Sequence, residues 1–275
     1  MKLARFLAFA AAAALALPAL ASVRHPDGIG FYVGLDGLQT LSRGTYAGLP
    51  NPNAGRLTLL FDHDDHFHGI GAYSYAGPAP HPAVLSTNAN NRIPETYTLE
   101  PPLPLTPGSG LYSGRLRSTV GASEYSFLGI ASIQSLAGGA PGSDQDILFN
   151  SSGGRWNAPL TGVNVGLKLL SATPGLHVGT ETVANLFGYG SDTILLGPGN
   201  SLEFKPVYWV DAAAAPGTYS ASFQLVNLAA ASPFGDSGVF HFDFAVPVPE
   251  PGTYAMLLAG LAVLGLIARR RVSAG

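Results

Sequence analysis

Residues 239–246 read Val-Phe-His-Phe-Asp-Phe-Ala-Val, and the centre of this stretch alternates between apolar and polar side chains. Phe240, Phe242 and Phe244 share one face of an extended chain, while His241 and Asp243 occupy the other. A period of two residues is typical of a β-strand with one buried face. The segment therefore predicts a strand that packs on an apolar core.

Similar short runs, rich in β-branched, aromatic and leucine residues, recur along the chain. The chain has 35 glycines and 22 prolines, which leave little room for a long helix. The predicted strands are 30–35, 56–61, 70–75, 125–133, 163–170, 201–210, 218–228 and 239–246. Strands at this spacing, with turn residues between them, predict an all-β fold of the β-sandwich type.

Glycine- and proline-rich dipeptides cluster between residues 137 and 156, which suggests a boundary within the body of the chain. We predict a β-rich domain over 22–150 and an immunoglobulin-like β-sandwich over 151–246. The proline-rich segment 94–107 is expected to be extended and exposed.

Residues 1–21 have the pattern of a secretory signal peptide. Lys2 and Arg5 precede an apolar run over 6–17, and Ala19-Leu20-Ala21 provides a small-x-small cleavage site for signal peptidase. We therefore expect the mature chain to begin at Ser22.

The C-terminal segment 247–275 has an equally clear pattern. Val248-Pro249-Glu250-Pro251 precedes an apolar run over 254–268, and Arg269-Arg270-Arg271 follows. This order resembles the PEP-CTERM sorting signal, which exosortase-type enzymes process. The resemblance implies a Gram-negative host, transient anchoring in the inner membrane by a short transmembrane helix, removal of the tail, and release to the cell surface or extracellular matrix. A permanent single-span anchor is the alternative.

Charge and cysteine content exclude several kinds of partner and site. The chain has no cysteine, so disulfides and thiolate metal sites are excluded. The two end segments hold five of the 14 basic residues but one of the 17 acidic ones, which leaves the body with a net charge of −7. A charge of this sign disfavours nucleic acid as a partner.

Three histidines and three aspartates fall within residues 62–68, in a chain of which 11% is charged. The flanking runs predict two strands, so the cluster is expected at a hairpin turn. His66 and His68 then point to one side, and His63 approaches from across the turn. Three imidazoles so placed suit a tetrahedral zinc site, with Asp64, Asp65 or His25 completing the shell. Ligands of this kind also suit another transition metal, Ni or Cu(II), better than Ca or Mg. A solvated polar turn is the alternative.

The same stretch also resembles a small family of cyanobacterial and proteobacterial PEP-CTERM proteins whose genes are controlled by the zinc uptake regulator. The residues that carry this resemblance are 31–37, 46–53, 56–60, the pattern His63-x-x-His66-x-His68-Gly69, and the segments 70–75, 204–209, 217–219 and 235–240. It implies a role under zinc limitation, with these histidines as ligands and with no enzymatic activity.

Other apparent motifs carry less weight. His177 with Glu181, and His241 with Asp243, are candidates for a second metal site, whereas His81 between two prolines is expected on an exposed loop. The segment 235–238 is similar to the nucleophile segment of trypsin-like proteases, but the partner residues of a triad are missing. We expect a turn there.

Three functions follow as hypotheses. The first is a non-catalytic surface protein that captures or buffers zinc. The second is a structural protein of the extracellular matrix, for which an extracellular polysaccharide is a candidate partner. The third is a metal-dependent hydrolase, which would require a general base and an open metal position that the sequence does not clearly provide.

Overall fold

The computed structural model describes residues 27–188, 190–248 and 260–261. The predicted signal peptide, His25 and nearly all of the C-terminal apolar run lie outside these ranges. The strands are, in chain order, β1 (Ile29–Leu35), β2 (Leu57–His63), β3 (His66–Ile70), β4 (Ser74–Ala76), β5 (Ala83–Leu85), β6 (Arg92–Ile93), β7 (Leu103–Pro107), β8 (Arg115–Ser118), β9 (Gly129–Ser132), β10 (Asn164–Ala172), β11 (His177–Gly179), β12 (Thr193–Pro198), β13 (Glu203–Phe204), β14 (Val207–Asp211), β15 (Gly217–Asn227) and β16 (Phe240–Val246).

Helical structure in the described residues is confined to short pieces. Two α-helices, α1 (Asp144–Phe149) and α2 (Ser151–Gly154), follow each other in the glycine-rich region, and 3₁₀ turns occur at Thr96–Thr98, Gly110–Tyr112, Glu124–Ser126 and Ile133–Leu136. The prediction of an all-β, sandwich-like fold is confirmed.

Two large sheets face each other across an apolar core. The smaller sheet has the strand order β13-β9-β1-β2-β3, and the larger has the order β11-β14-β8-β7-β16-β15-β10-β12, with β6 also paired to β16. Phe31 of β1 meets Phe242 of β16 edge-on, with ring centroids 5.4 Å apart. We call the buried cluster between the sheets the main core.

The outer face of the smaller sheet is also covered. Tyr32, Leu60 and Phe67 alternate with residues of the main core and pack against the connection that carries α1, including Trp156. We call this cluster the second core. Because both faces of β2 are buried, six of its seven residues, from Leu57 to Asp62, are inaccessible to solvent.

The strands on either side of the predicted boundary near residue 150 share sheets. β7 and β16 run parallel with Leu103 opposite Phe244, and β13 pairs with β9. In the described residues no sheet consists of strands from 151–246 alone. The division of the sequence at residue 150 is therefore not a division between sheets.

Several expectations about local structure are wrong. The predicted strand over 125–133 is reduced to β9 between two 3₁₀ turns, and the predicted strand over 201–210 is divided into β13 and β14. The segment 94–107 is not an exposed loop throughout, because Leu103 and Leu105 are buried in β7 and Glu95 is fully buried. Leu103 and Leu105 lie two residues apart and are buried on the same face of β7. Their burial outweighs the loss of a backbone N–H donor at Pro104. The predicted strand over 70–75 ends at Ile70, since Gly71 adopts a φ of +66°.

Candidate metal centre at the β2–β3 hairpin

The hairpin of β2 and β3 places three imidazoles on one face. Asp64 and Asp65 form its two-residue turn, and the register sets His63 opposite His66 and Phe61 opposite His68. Directly opposed residues point to the same side of a sheet, as do residues two apart on one strand. The three histidines therefore continue the face on which Phe61 contributes to the main core.

The three rings lie in mutual contact. Ring centroids are 4.8 Å apart for His63 and His68, 4.8 Å for His66 and His68, and 5.3 Å for His63 and His66. The Nε2 atoms of His66 and His68 are 2.9 Å apart, which is hydrogen-bond distance.

Each imidazole also has a carboxylate near its Nδ1 atom. Asp65 Oδ1 lies 2.7 Å from Nδ1 of His66, and both carboxylate oxygens of Glu95 lie 3.0 Å from Nδ1 of His68. Nδ1 of His63 is buried and lies 3.4 Å from Oε1 of Glu124. The two atoms do not have the geometry of a hydrogen bond. The hydrogen bonds from Nδ1 hold the ring orientations of His66 and His68, as outer carboxylates do around metal-bound histidines.

Glu95 is the best-buried acid of the site, with 0% of its surface exposed. It accepts hydrogen bonds from the hydroxyls of Tyr125 at 3.0 Å and Tyr97 at 3.3 Å, and from the side-chain amide of Asn90. Within the described part of the chain, His68 is its ion-pair partner. Any positive charge on the histidine cluster would therefore offset the negative charge of this carboxylate.

The neighbouring groups respond to this charge. Burial, and then the charge of Glu95, raise the pKa of Tyr125 and likewise that of Tyr97, so both phenols remain neutral donors. The hydrogen bond from His66 lowers the pKa of the exposed Asp65 carboxyl. Asp65 is therefore an ionised acceptor over the neutral pH range.

The positions of the two carboxylates determine how the ring nitrogens of His66 and His68 are used. The contacts with Asp65 and Glu95 place a proton on Nδ1 of both His66 and His68, because an ionised carboxylate only accepts. The two Nε2 atoms face each other at 2.9 Å, where one cation or proton would serve both nitrogens.

The structure brings some of the ligands predicted from the sequence together, but not all of them. His63, His66 and His68 come together and Asp65 contacts His66, whereas Asp64 is an exposed turn residue with a φ of +65°. His25 lies outside the described residues. Among those that are described, no group of three or more His, Asp or Glu side chains is arranged so that it could hold a metal ion as it stands.

Sequence reasoning missed Glu95 and Glu124. Glu95 is 27 residues from His68 and lies in the proline-rich segment, which had been expected to be exposed. Its one signal was that it is an isolated acid in an otherwise uncharged stretch, Ile93-Pro94-Glu95-Thr96-Tyr97. Glu124 carried no comparable signal.

The other described histidines, His81, His177 and His241, lie in different surroundings. His177 stacks on Trp209 with ring centroids 4.3 Å apart, and burial lowers the pKa of His241. Their candidate companions pair with arginines: Glu181 with Arg117, and Asp243 with Arg92. His81 is exposed, as expected.

Comparison with known proteins locates one feature. The family model for the PEP-CTERM protein-sorting motif matches residues 247–271. The C-terminal segment is a PEP-CTERM sorting motif. It marks the chain for export and surface sorting in Gram-negative bacteria, with recognition by an exosortase-type enzyme.

The other comparisons find no relatives. No curated protein and no solved structure matches the chain. The resemblance to proteins controlled by the zinc uptake regulator thus receives no support from them. No helix among the described residues has the length and apolar character needed to cross a membrane.

Proposed function

We propose that this exported protein binds Zn²⁺ through His63, His66 and His68 and so captures or buffers zinc at the cell surface. The observation that carries the proposal is the convergence of the three imidazoles, with the Nε2 atoms of His66 and His68 at 2.9 Å and with carboxylates on their Nδ1 atoms. Imidazoles with outer carboxylate partners are typical zinc ligands.

Zinc would bind between the two Nε2 atoms. Two nitrogens bound to tetrahedral zinc at about 2.0–2.1 Å are about 3.3 Å apart, slightly more than the present 2.9 Å. Small ring rotations would therefore open the position. The negative charge of Glu95 and Asp65 favours a divalent ion over a single proton, and a water molecule or Asp64 would complete the shell.

Zinc titration calorimetry on the full chain tests this proposal. His66→Ala/His68→Ala should weaken binding by more than the about 100-fold that loss of an outer-shell partner can cause. The matched control His177→Ala/His241→Ala should bind as the wild type does. Binding should also release a proton and weaken as the pH falls, because neutral imidazole is the ligand.

Equal zinc affinity in the wild type and the hairpin double variant would overturn the proposal. The hairpin would then be a polar turn, and a structural role in the extracellular matrix, which the sorting motif favours, would replace zinc capture. Metal analysis of protein purified from its host without added metal provides an independent check.

We further propose that the sorting tail is removed in the host. The motif at 247–271 ends in three arginines after a short apolar run, the arrangement of a processed sorting signal. The intact mass of the surface-released protein should lack residues 254–271. A mass that includes them would indicate a permanent anchor.

A further inference from the structure

A groove runs beside Trp156 on the smaller sheet. It consists of two adjoining pockets of about 370 Å³ and about 560 Å³, which share Gly69, Arg155 and Trp156 as walls. Gly69 packs against the indole, since a Cβ at this position would lie in ordinary contact with the ring at 3.7 Å. The larger pocket is bordered by His68 and the smaller by several tyrosines.

The tyrosines of the smaller pocket are held in place. The rings of Tyr46 and Tyr75 lie 5.3 Å apart, and their hydroxyls donate to the backbone carbonyls of Gly77 and Pro50. Tyr73 lies under the guanidinium of Arg56 at 4.3 Å. Because these contacts fix the rings, the pocket offers preformed aromatic surface at low entropic cost.

Three buried polar atoms at the groove have no hydrogen-bond partner in the protein: Trp156 Nε1, Asn88 Oδ1 and Asn90 Oδ1. Trp156 is 5% exposed, so its unpaired donor is costly. The amide of Asn90 donates to Glu95, which leaves its oxygen directed away from that carboxylate. The walls of the groove thus contain one unused donor and two unused acceptors, each covered by neighbouring atoms in the unliganded protein.

The groove carries no net charge that would select an ion. Arg155 forms a two-pronged ion pair with the buried Asp36, in which Nε lies 2.8 Å from Oδ1, and its guanidinium also covers Trp156 at 4.3 Å. No carboxylate is among the residues that line either pocket. A ligand for this groove is therefore neutral and rich in groups that both donate and accept hydrogen bonds.

We propose that the groove binds a neutral saccharide chain. Pyranose rings present an apolar C–H face to aromatic side chains, and after small rotations of Trp156, Asn88 and Asn90 their hydroxyls would pair with the indole donor and with the two amide oxygens. The two adjoining pockets accommodate successive sugar units. This inference does not depend on zinc binding.

Calorimetric and tryptophan-fluorescence titrations of the full chain with cellohexaose and with hexa-N-acetylchitohexaose test the inference. At least one of these hexasaccharides should bind. Tyr75→Ala removes an aromatic surface and Asn88→Ala a hydrogen-bond acceptor, and each should weaken binding about tenfold, which corresponds to about 1.4 kcal/mol. Asn88 loses no internal hydrogen bond through Oδ1, so Asn88→Ala should keep the wild-type circular dichroism spectrum.

Two controls separate this site from the hairpin. Asn164→Ala changes an exposed asparagine of β10 and should bind saccharide as the wild type does. His63→Ala/His66→Ala, at two hairpin histidines that line neither pocket, should lose zinc but keep saccharide. Absence of binding by both hexasaccharides at millimolar concentration, or unchanged affinity in a folded Asn88→Ala protein, would overturn the inference and leave the zinc proposal untouched.

Discussion

A completely buried carboxylate such as that of Glu95 loses its hydration and must recover that energy from its neighbours. Two phenols and one amide donate to it, but these groups carry no charge. His68 is the neighbour that can bring positive charge, either as an imidazolium or as a ligand of a metal ion. Glu95 therefore links the fold to the charge state of the cluster.

Replacing Glu95 by Gln tests this link, because the change removes the charge and preserves the size of the side chain. We expect zinc affinity to fall about 10- to 100-fold, the usual cost of losing an outer-shell partner. Titration calorimetry at constant pH is the measurement. Glu100→Gln is the matched control, since Glu100 is exposed and accepts a hydrogen bond from Ser123 rather than from a histidine. Similar affinities for the two variants would show that Glu95 serves the fold alone.

At the scale of elements, the end of β3 and the start of β16 depend on a close backbone contact. A Cβ added to Gly238 would lie 1.7 Å from the carbonyl oxygen of Gly71, and one added to Gly71 would lie 2.3 Å from that of Val239. Ser237 supports the contact, since its buried hydroxyl accepts from Leu225 N and donates to Gly238 O. The protease-like segment 235–238 therefore has a structural role, but it is not the expected turn: Gly235 forms a β-bridge with Arg56, and the backbone N–H of Ser237 donates to Leu225 O.

Gly238→Ala should destabilise the protein by about 3 kcal/mol or more, because backbone atoms on both sides prevent relaxation around the new methyl group. Urea unfolding followed by circular dichroism measures the effect. In Gly121→Ala the new methyl group meets no atom within 4 Å, so stability should change by less than about 1 kcal/mol. A Gly238→Ala variant as stable as the Gly121→Ala control would contradict the contact.

At the scale of the whole molecule, the two halves of the body are interleaved. The main core draws Phe31 and Phe61 from the N-terminal half and Tyr208, Phe223 and Phe242 from the C-terminal half. A sheet that mixes strands from both halves cannot lose one half and keep its ladder of hydrogen bonds. The two halves should therefore unfold together.

We expect a single cooperative unfolding transition of the full chain in urea. Far-UV circular dichroism reports the sheets, and tryptophan fluorescence reports Trp156 in the second core and Trp209 beside Tyr112. Coincident midpoints and equal free energies of unfolding from the two signals would satisfy the two-state criterion. Two separate transitions would instead support independent domains over 22–150 and 151–246.

Several properties of this protein follow from the sequence alone because their causes are local. The alternation of Phe240, Phe242 and Phe244 specifies a strand with one buried face, and β16 buries all three. The sorting motif is linear and needs no tertiary context to be recognised. His63, His66 and His68 meet because a two-residue turn joins two short strands, and the period of those strands aligns the rings.

Tertiary structure alone decided what surrounds these local features. Glu95 reaches His68 and Tyr125 because the proline-rich segment passes under the hairpin, and β7 joins the larger sheet beside β16. The groove at Trp156 likewise combines residues from separate loops and strands. Non-local pairings are selected by the burial achieved in the whole molecule, and loop closure depends only weakly on the number of residues between partners. A local pattern therefore predicts which face of a strand is buried, but not which distant carboxylate it will meet.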